Sequence, residues 1–405
     1  MNINQLGFDC ICRLNSPYKF KKTSFMKSHN FQTLIFLFSI LFLISCKQSK
    51  QADTSNYLVD ANKITNIEGK KLSSLLEHFD IIPLETSDDC LIGEIFNIKK
   101  RCGRYYVQHS NQMKLDVFDE KGKHLQTIGK VGNGPGEYFA ICSYDADDQN
   151  IFLLSPGKMM VYDINGNFHK EIPIKEIVWG AIKRIENGFL VSCNQPLPDG
   201  NTIAYLDNEC KIIKTALPHN YYTTKSAHII WTEWEDGFYV RQLSDSKDFC
   251  CFDHKNLEFK TMGLSNSNDG VSISDIEEQM SINKGEFVSG NLIRSVTASS
   301  SQIYWFTSNN GYYDNILDKN SGKTYRISND LEMDDLCFPE NHNDALMGYL
   351  FKCSSDDDYL LSFIPNTNRL KEVVEGKRLK FELAYKCLED VAEDANPSIA
   401  VLRFR

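Results

Sequence analysis

YYVQHSNQMKLDVFDEKGKHLQTIG, from Tyr105 to Gly129, and IFLLSPGKMMVYDINGNFHKEI, from Ile151 to Ile172, share one plan. An apolar strand is followed by a variable stretch, a second strand ending in Asp, a tight turn, and a third strand. DEKG and DING place Asp where its carboxylate can accept backbone N–H groups, and Gly where a positive φ is needed. The Asp is therefore read as a turn former and not as a metal ligand or catalytic acid.

Outward from this pair the plan recurs at Phe189–Thr215, Phe238–Thr261 and Ile303–Ile327, with a degenerate copy at Tyr349–Val374. The turn residues Asp119, Asp163, Asp207, Asp253 and Asp318 are spaced by 44, 44, 46 and 65 residues. The first three steps match a four-stranded propeller blade of roughly 40–50 residues. The long step is assigned to an insertion at the polar segment Ser265–Glu286. The expected fold is all-β: a six-bladed β-propeller of four-stranded antiparallel blades over residues 64–405. A blade cannot bury both faces alone, so the ring must close, and Asn396–Phe404 is expected to pair beside strands near residues 64–85. Helical patterns are scarce, at Lys71–His78, Ile273–Met280 and Phe381–Asp394.

The 405 residues are 42% hydrophobic and 24% charged, a globular composition. Of the net charge of −10, residues 1–45 contribute five basic side chains and one acid, which leaves −14 on the remainder. An acidic body repels phosphate backbones, so no nucleic-acid partner is expected. The thirteen cysteines include no CxxC pair. Most lie among strand residues and read as buried free thiols, with one or two disulfides as the alternative.

The one long apolar run, Phe31–Cys46, follows Lys21, Lys22 and Lys27 and is short for a bilayer span. A basic segment, an apolar segment and Leu43-Ile44-Ser45-Cys46 together read as a lipoprotein signal peptide over residues 26–45, cleaved at a lipidated Cys46. Residues 1–25 read as an over-extended N-terminus ahead of a start at Met26, and residues 46–63 as a polar tether. The expected partner on this side is the membrane, met through the lipid. The expected address is the outer membrane, on its periplasmic face, because Lys47-Gln48-Ser49-Lys50 lacks an acidic run.

Three stretches carry a family resemblance: LSSLLEHFDIIPLETSDDCLIGEI (Leu72–Ile95), FDEKGKHLQTIGKVGNGPGEY (Phe118–Tyr138) and LEDVAEDANPSIAVLRF (Leu388–Phe404). The chain resembles the six-bladed β-propeller lipoproteins of Bacteroidetes, relatives of NHL-repeat propellers. The likeness weakens at Tyr205–Cys210, where the turn glycine is missing. It implies a fold and an address and no settled activity.

Candidate site residues are few. GKVGNGPGEY (Gly129–Tyr138) is read as a blade-to-blade loop, and no Lys and Ser/Thr follow its glycines as a phosphate loop requires. Such loops border the channel, so Asn133 and Glu137 are binding candidates. Tyr221, Tyr222, Trp231 and Trp234 could offer a stacking surface, with inter-blade core packing as the favoured reading. His109 lies just after an inner-type strand and is the single best histidine candidate, whereas His124, His169 and His254 fall at hairpin turns and are expected to be exposed. No HExxH or GxSxG signature is present. The leading expectation is a binding or scaffold module for a peptide, glycan or protein, without a cofactor. The alternative implied by the resemblance is a lactonase-like enzyme with Zn²⁺ or Ca²⁺ in the central channel.

Overall fold

Ile151, Phe152, Leu153 and Leu154 form a strand with no polar alternation because both of its faces are buried. Ile151 and Leu153 enter one core with Tyr106, Leu115, Val117 and Tyr144. Phe152 and Leu154 enter another with Ile182, Phe189, Val191 and Leu206. A sheet sandwiched in this way between two neighbours is a propeller blade.

The computed structural model describes residues 65–67, 71–110, 113–218, 229–234, 237–242, 248–253, 258–263, 292–299, 301–308, 312–318, 320–327, 353–375 and 380–405. In chain order the elements open with β1 (Thr65–Ile67), α1 (Leu72–Leu75) and β2 (Leu76–Pro83). The first blade is β3 (Ile95–Arg101), β4 (Arg104–His109), β5 (Lys114–Phe118) and β6 (His124–Thr127). A connection holding β7 (Lys130–Val131) and β8 (Glu137–Tyr138) leads to the second, β9 (Ser143–Ala146), β10 (Asn150–Ser155), β11 (Lys158–Asp163) and β12 (Phe168–Pro173). The third is β13 (Gly180–Ile185), β14 (Gly188–Cys193), β15 (Asn201–Leu206) and β16 (Ile212–Pro218). The fourth is β17 (Ile229–Trp234), β18 (Gly237–Gln242), β19 (Asp248–Asp253) and β20 (Glu258–Gly263). The fifth is β21 (Leu292–Ala298), β22 (Gln302–Ser308), β23 (Tyr312–Asp318) and β24 (Thr324–Ile327). Then come β25 (Cys353–Ser355), β26 (Leu360–Ile364), α2 (Thr367–Val374), α3 (Glu382–Tyr385) and β27 (Ser398–Phe404).

Among the described residues five blades carry the four-stranded antiparallel unit, which corrects the expectation of six. The reason lies in the degenerate copy at Tyr349–Val374. Its NTNRLKEVV, read as a turn and third strand, is α2, whose Asn366 cap accepts the Arg369 N–H at 2.9 Å. Its first strand, β25, leaves its own sheet and pairs in parallel with β3 of the first blade. What remains is a three-stranded closing sheet in the order β2-β27-β26.

That sheet joins the two ends of the ring. β27 pairs antiparallel with β2 from Leu76↔Phe404 to Pro83↔Ser398, and with β26 on its other edge. Ile399 and Val401 pack with Ile98, Val107 and Phe118 of the first blade. Ala400, Leu402 and Phe404 pack in a core with Tyr304, Ile316 and Ile327 of the fifth. Two of the expected helices are present in shortened form, as Leu72–Leu75 and as α3 with the 3₁₀ turn Lys386–Leu388; Ile273–Met280 and the insertion Ser265–Glu286 lie outside the described residues.

Three of the turn Asp residues act as read, and the side chain of Asp253 lies outside the described ones. Asp119 accepts the N–H groups of Lys121 and Lys123 at 2.8 and 2.9 Å, and Asp163 and Asp207 repeat the pattern. Gly122 and Gly166 supply φ of 80° and 83°. In the third blade Cys210 takes this position with φ 59°, a backbone conformation tolerated because its buried side chain joins the adjoining core. Cys90, Cys102, Cys142, Cys193, Cys210, Cys353 and Cys387 are free thiols.

Candidate functional site

Antiparallel strands alternate direction, so the connections of a propeller sort onto two faces. The blade-to-blade connections, which lead into β3, β9 and β13, share a face with the turns between second and third strands. The Asp turns lie on the opposite face. The first strands β3, β9 and β13 neighbour one another and form the innermost edge.

Nine large apolar side chains are exposed among the described residues, and six of them belong to the first face. Leu91 and Phe96 stand at the start of β3, Val131 and Phe139 before β9, and Val178 and Trp179 before β13. Phe139 is 68% exposed, Phe96 46% and Trp179 38%. Phe96 owes its position to an irregularity in the β3–β4 register between Ile95 and Asn97, which turns it out of the inter-blade core. Isolated exposed apolar residues are ordinary, but here six of the nine gather on one face of three successive blades.

The loop of the second connection is built on itself. β7 and β8 pair in parallel, Lys130 with Glu137 and Val131 with Tyr138. Glu137 accepts the Gly134 N–H at 2.8 Å and an ion pair from Lys130 Nζ at 3.0 Å. The Gly134 N–H and Lys130 hold its carboxyl below the usual range. Glu137 thus folds the loop that presents Val131 and Phe139, while Asn133 is exposed on it.

Below this face the innermost strands carry buried charge. Asp145 of β9 accepts Arg101 Nε at 2.8 Å and the Arg184 N–H at 2.7 Å, with Lys183 Nζ at 3.8 Å. Arg101 also donates to the Lys100 carbonyl and to Ser354 Oγ of β25. Lys99 donates to the Ile182 carbonyl and lies over the Tyr144 ring.

His109 is fully buried at the end of β4, the strand whose Tyr105 and Val107 pack with Ile399 and Val401 of the closing sheet. Its Nδ1 accepts the Gly93 N–H at 3.1 Å, so Nε2 carries the proton and donates to Asp116 Oδ2 at 2.7 Å. His124 corrects its reading as an exposed turn histidine: it is partly buried, with Nε2 3.2 Å from Asp116 Oδ1. Its position at the start of β6 puts it in register with Phe118, on the inward face. His169 is half exposed and His254 lies outside the described residues. So do Cys46, Tyr221 and Tyr222; Trp231 and Trp234 fall in β17, where the backbone alone is described. The sequence did not single out Phe96, Phe139 and Trp179. Their common position just ahead of, or at the start of, each blade's first strand is the signal that finds them.

Fold and face together define a β-propeller with an apolar-rimmed end. The chain belongs to the family described as a domain of unknown function, DUF4934, whose model matches residues 57–403. A Bacteroides fragilis protein described as exported is similar in structure, with a TM-score of 0.64 at 19% identity over 84% of this chain and 99% of that one. A member of the duf4221 family from Bacteroides vulgatus matches with a TM-score of 0.46 at 10% identity, over 82% of this chain and 97% of that one. No curated protein matches the chain. Among the described residues no helix is long and apolar enough to cross a membrane.

Proposed function

We propose that the protein is an exported binding module, lipid-anchored at Cys46, that receives a peptide, glycan or protein partner on the face formed by its blade-to-blade connections. The observation that carries this reading is the set of Phe96, Phe139 and Trp179, exposed at or just ahead of the first strands of three successive blades. Rigid aromatic side chains offer large contact area at low entropic cost, and they stack on sugar rings and apolar peptide groups alike. Their mounting on blade connections, with Glu137 bracing one of them, presents them preformed.

The triple change Phe96→Ala, Phe139→Ala, Trp179→Ala tests the reading. Exposed positions tolerate substitution, so the melting temperature should stay near wild type. Affinity for a ligand found on glycan and peptide arrays should fall roughly 10–100-fold, about 1–3 kcal/mol. An array on which the wild type finds no ligand, or a triple variant that binds as wild type, overturns it.

The anchor is supported by the basic and apolar run ending at Leu43-Ile44-Ser45-Cys46. Cells grown with labelled palmitate should label the wild-type protein and leave Cys46→Ala unlabelled and released from the membrane fraction. Protease treatment of intact cells then reports the side: survival of the protein supports the periplasmic face, and rapid digestion the cell surface. A Cys46→Ala variant that keeps both label and membrane association removes the anchor from the account.

A further inference from the structure

Cys90, Asp116 and His124 come from three different segments. Their ligating atoms, Sγ, a carboxylate oxygen and an imidazole nitrogen, all lie within 4.8 Å of one another. From this convergence we infer that the protein holds a Zn²⁺ ion between its first blade and the connection leading into it. The proposed ligands are Cys90 Sγ, Asp116 Oδ1 and His124 Nε2, with water in the fourth position.

The ligand chemistry selects the ion. Thiolate, imidazole and carboxylate in a set of three, with one open position, is a zinc donor set; Ca²⁺ and Mg²⁺ call for oxygen ligands in greater number. The separations fit. Two N or O ligands at about 2.0–2.1 Å from a tetrahedral zinc stand about 3.3 Å apart. His124 Nε2 and Asp116 Oδ1 are 3.2 Å apart already. A sulfur at about 2.3 Å from the same ion needs about 3.6 Å to either partner, so Cys90 Sγ moves by about an ångström at most.

The surroundings hold these ligands in place. Asp116 is buried, and His109 Nε2–H fixes its other oxygen, Oδ2, at 2.7 Å. His109 is itself fixed in that tautomer by the Gly93 N–H on Nδ1. This is the outer hydrogen bond that metal carboxylates characteristically receive. Thr127 Oγ1 donates to Asp116 Oδ1, and that oxygen has a second lone pair for the ion where His124 now sits. Cys90 is held from the far end of the chain: Asn396 Nδ2 donates to the Cys90 carbonyl at 2.7 Å, and Asn396 Oδ1 accepts the Ile92 N–H at 2.8 Å. The side chain of His124 is 18% exposed, which gives the ion and its water a route in. Binding exchanges the thiol proton for zinc, and the proton leaves to solvent. Burial and the Asp116 charge push the free thiol up to about 12, so the ion itself must displace that proton.

The test uses the whole mature chain, stripped with a chelator and titrated with Zn²⁺ and with Co²⁺ as the spectroscopic probe. One equivalent should bind, and Co²⁺ should give the thiolate charge-transfer band and tetrahedral d–d bands. Cys90→Ser should abolish the charge-transfer band. His124→Gln, at the exposed edge of the site, should keep the metal-free melting temperature and weaken Zn²⁺ more than about 100-fold, beyond the 10–100-fold typical of outer-shell changes. Should Cys90→Ser fail to fold, His124→Gln decides alone. Wild-type protein without a stoichiometric site, or variants that bind zinc and cobalt as the wild type does, overturns the assignment.

Discussion

A chain lacking Asn396–Arg405 is expected to lose the cooperative unfolding transition of the whole propeller, not to fray at one end. β27 is the middle strand of the closing sheet, so its removal leaves β2 and β26 each without a partner. It also opens two cores at once. Ile399 and Val401 leave the interface with the first blade, and Ala400, Leu402 and Phe404 leave the one that includes the fifth. Four large apolar side chains at about 1.5–3 kcal/mol each amount to about 6–12 kcal/mol, comparable with the whole stability of an ordinary domain. Asn396→Ala in the full chain is the graded version. It deletes the side chain that accepts the Ile92 N–H and donates to the Glu85 and Cys90 carbonyls. Three part-buried to buried backbone groups then lose a partner, at a cost of about 3–5 kcal/mol. Denaturant melts followed by circular dichroism measure both. A truncated protein that melts cooperatively at the full-length temperature would sink the closure account.

Closure was legible in the sequence because it is an argument about edges. Any ring of blades must satisfy its first and last strands, and Ser398–Phe404 is an apolar run following Asn396-Pro397. The Asp turns were legible because DEKG and DING carry their own local chemistry, independent of what packs above them. The sixth copy was misread for the complementary reason. NTNRLKEVV has the composition of a turn and strand, but Asn366 caps a helix whose Leu370 is buried in the core with Phe79 and Tyr385. Tertiary packing decided between two local readings. The rim of Phe96, Phe139 and Trp179 was hidden because exposure depends on which face a connection joins, and strand counting does not reveal it. His124 was misplaced by a similar step: a residue beside a turn was taken as outside, although its register with Phe118 aims it inward. Cys90 read as an apolar filler, because its carboxylate and imidazole neighbours are 26 and 34 residues away in sequence.

The charged centre was equally invisible to pattern reading, and it supports the second large effect. Asp145→Asn should destabilise the protein by about 3–5 kcal/mol at neutral pH, the range found when one partner of a buried ion pair is removed. Asp145 is the carboxylate that Arg101, Lys183 and Lys99 surround. Asparagine keeps its size but leaves those cations on the innermost strands without their anion. The consequence spreads because Arg101 also holds Ser354 of β25, and the Asp145 carboxylate also holds the Arg184 N–H of β13. Three innermost strands therefore share one carboxylate, and Arg101 ties β25 to them. Burial alone would raise this carboxyl, but Lys183, Arg101, Lys99 and the Arg184 N–H outweigh it and hold the group far below the usual range. A folded-state pKa depressed below the unfolded value of about 3.9 gives stability that is complete above about pH 5. That stability is lost progressively as the pH falls toward the depressed value. Urea melts of wild type and Asp145→Asn should accordingly differ most at pH 6–7, and the gap should narrow on acidification below about pH 4. Equal midpoints at pH 7, or a gap that widens in acid, would show that the carboxylate is not what binds the innermost strands together.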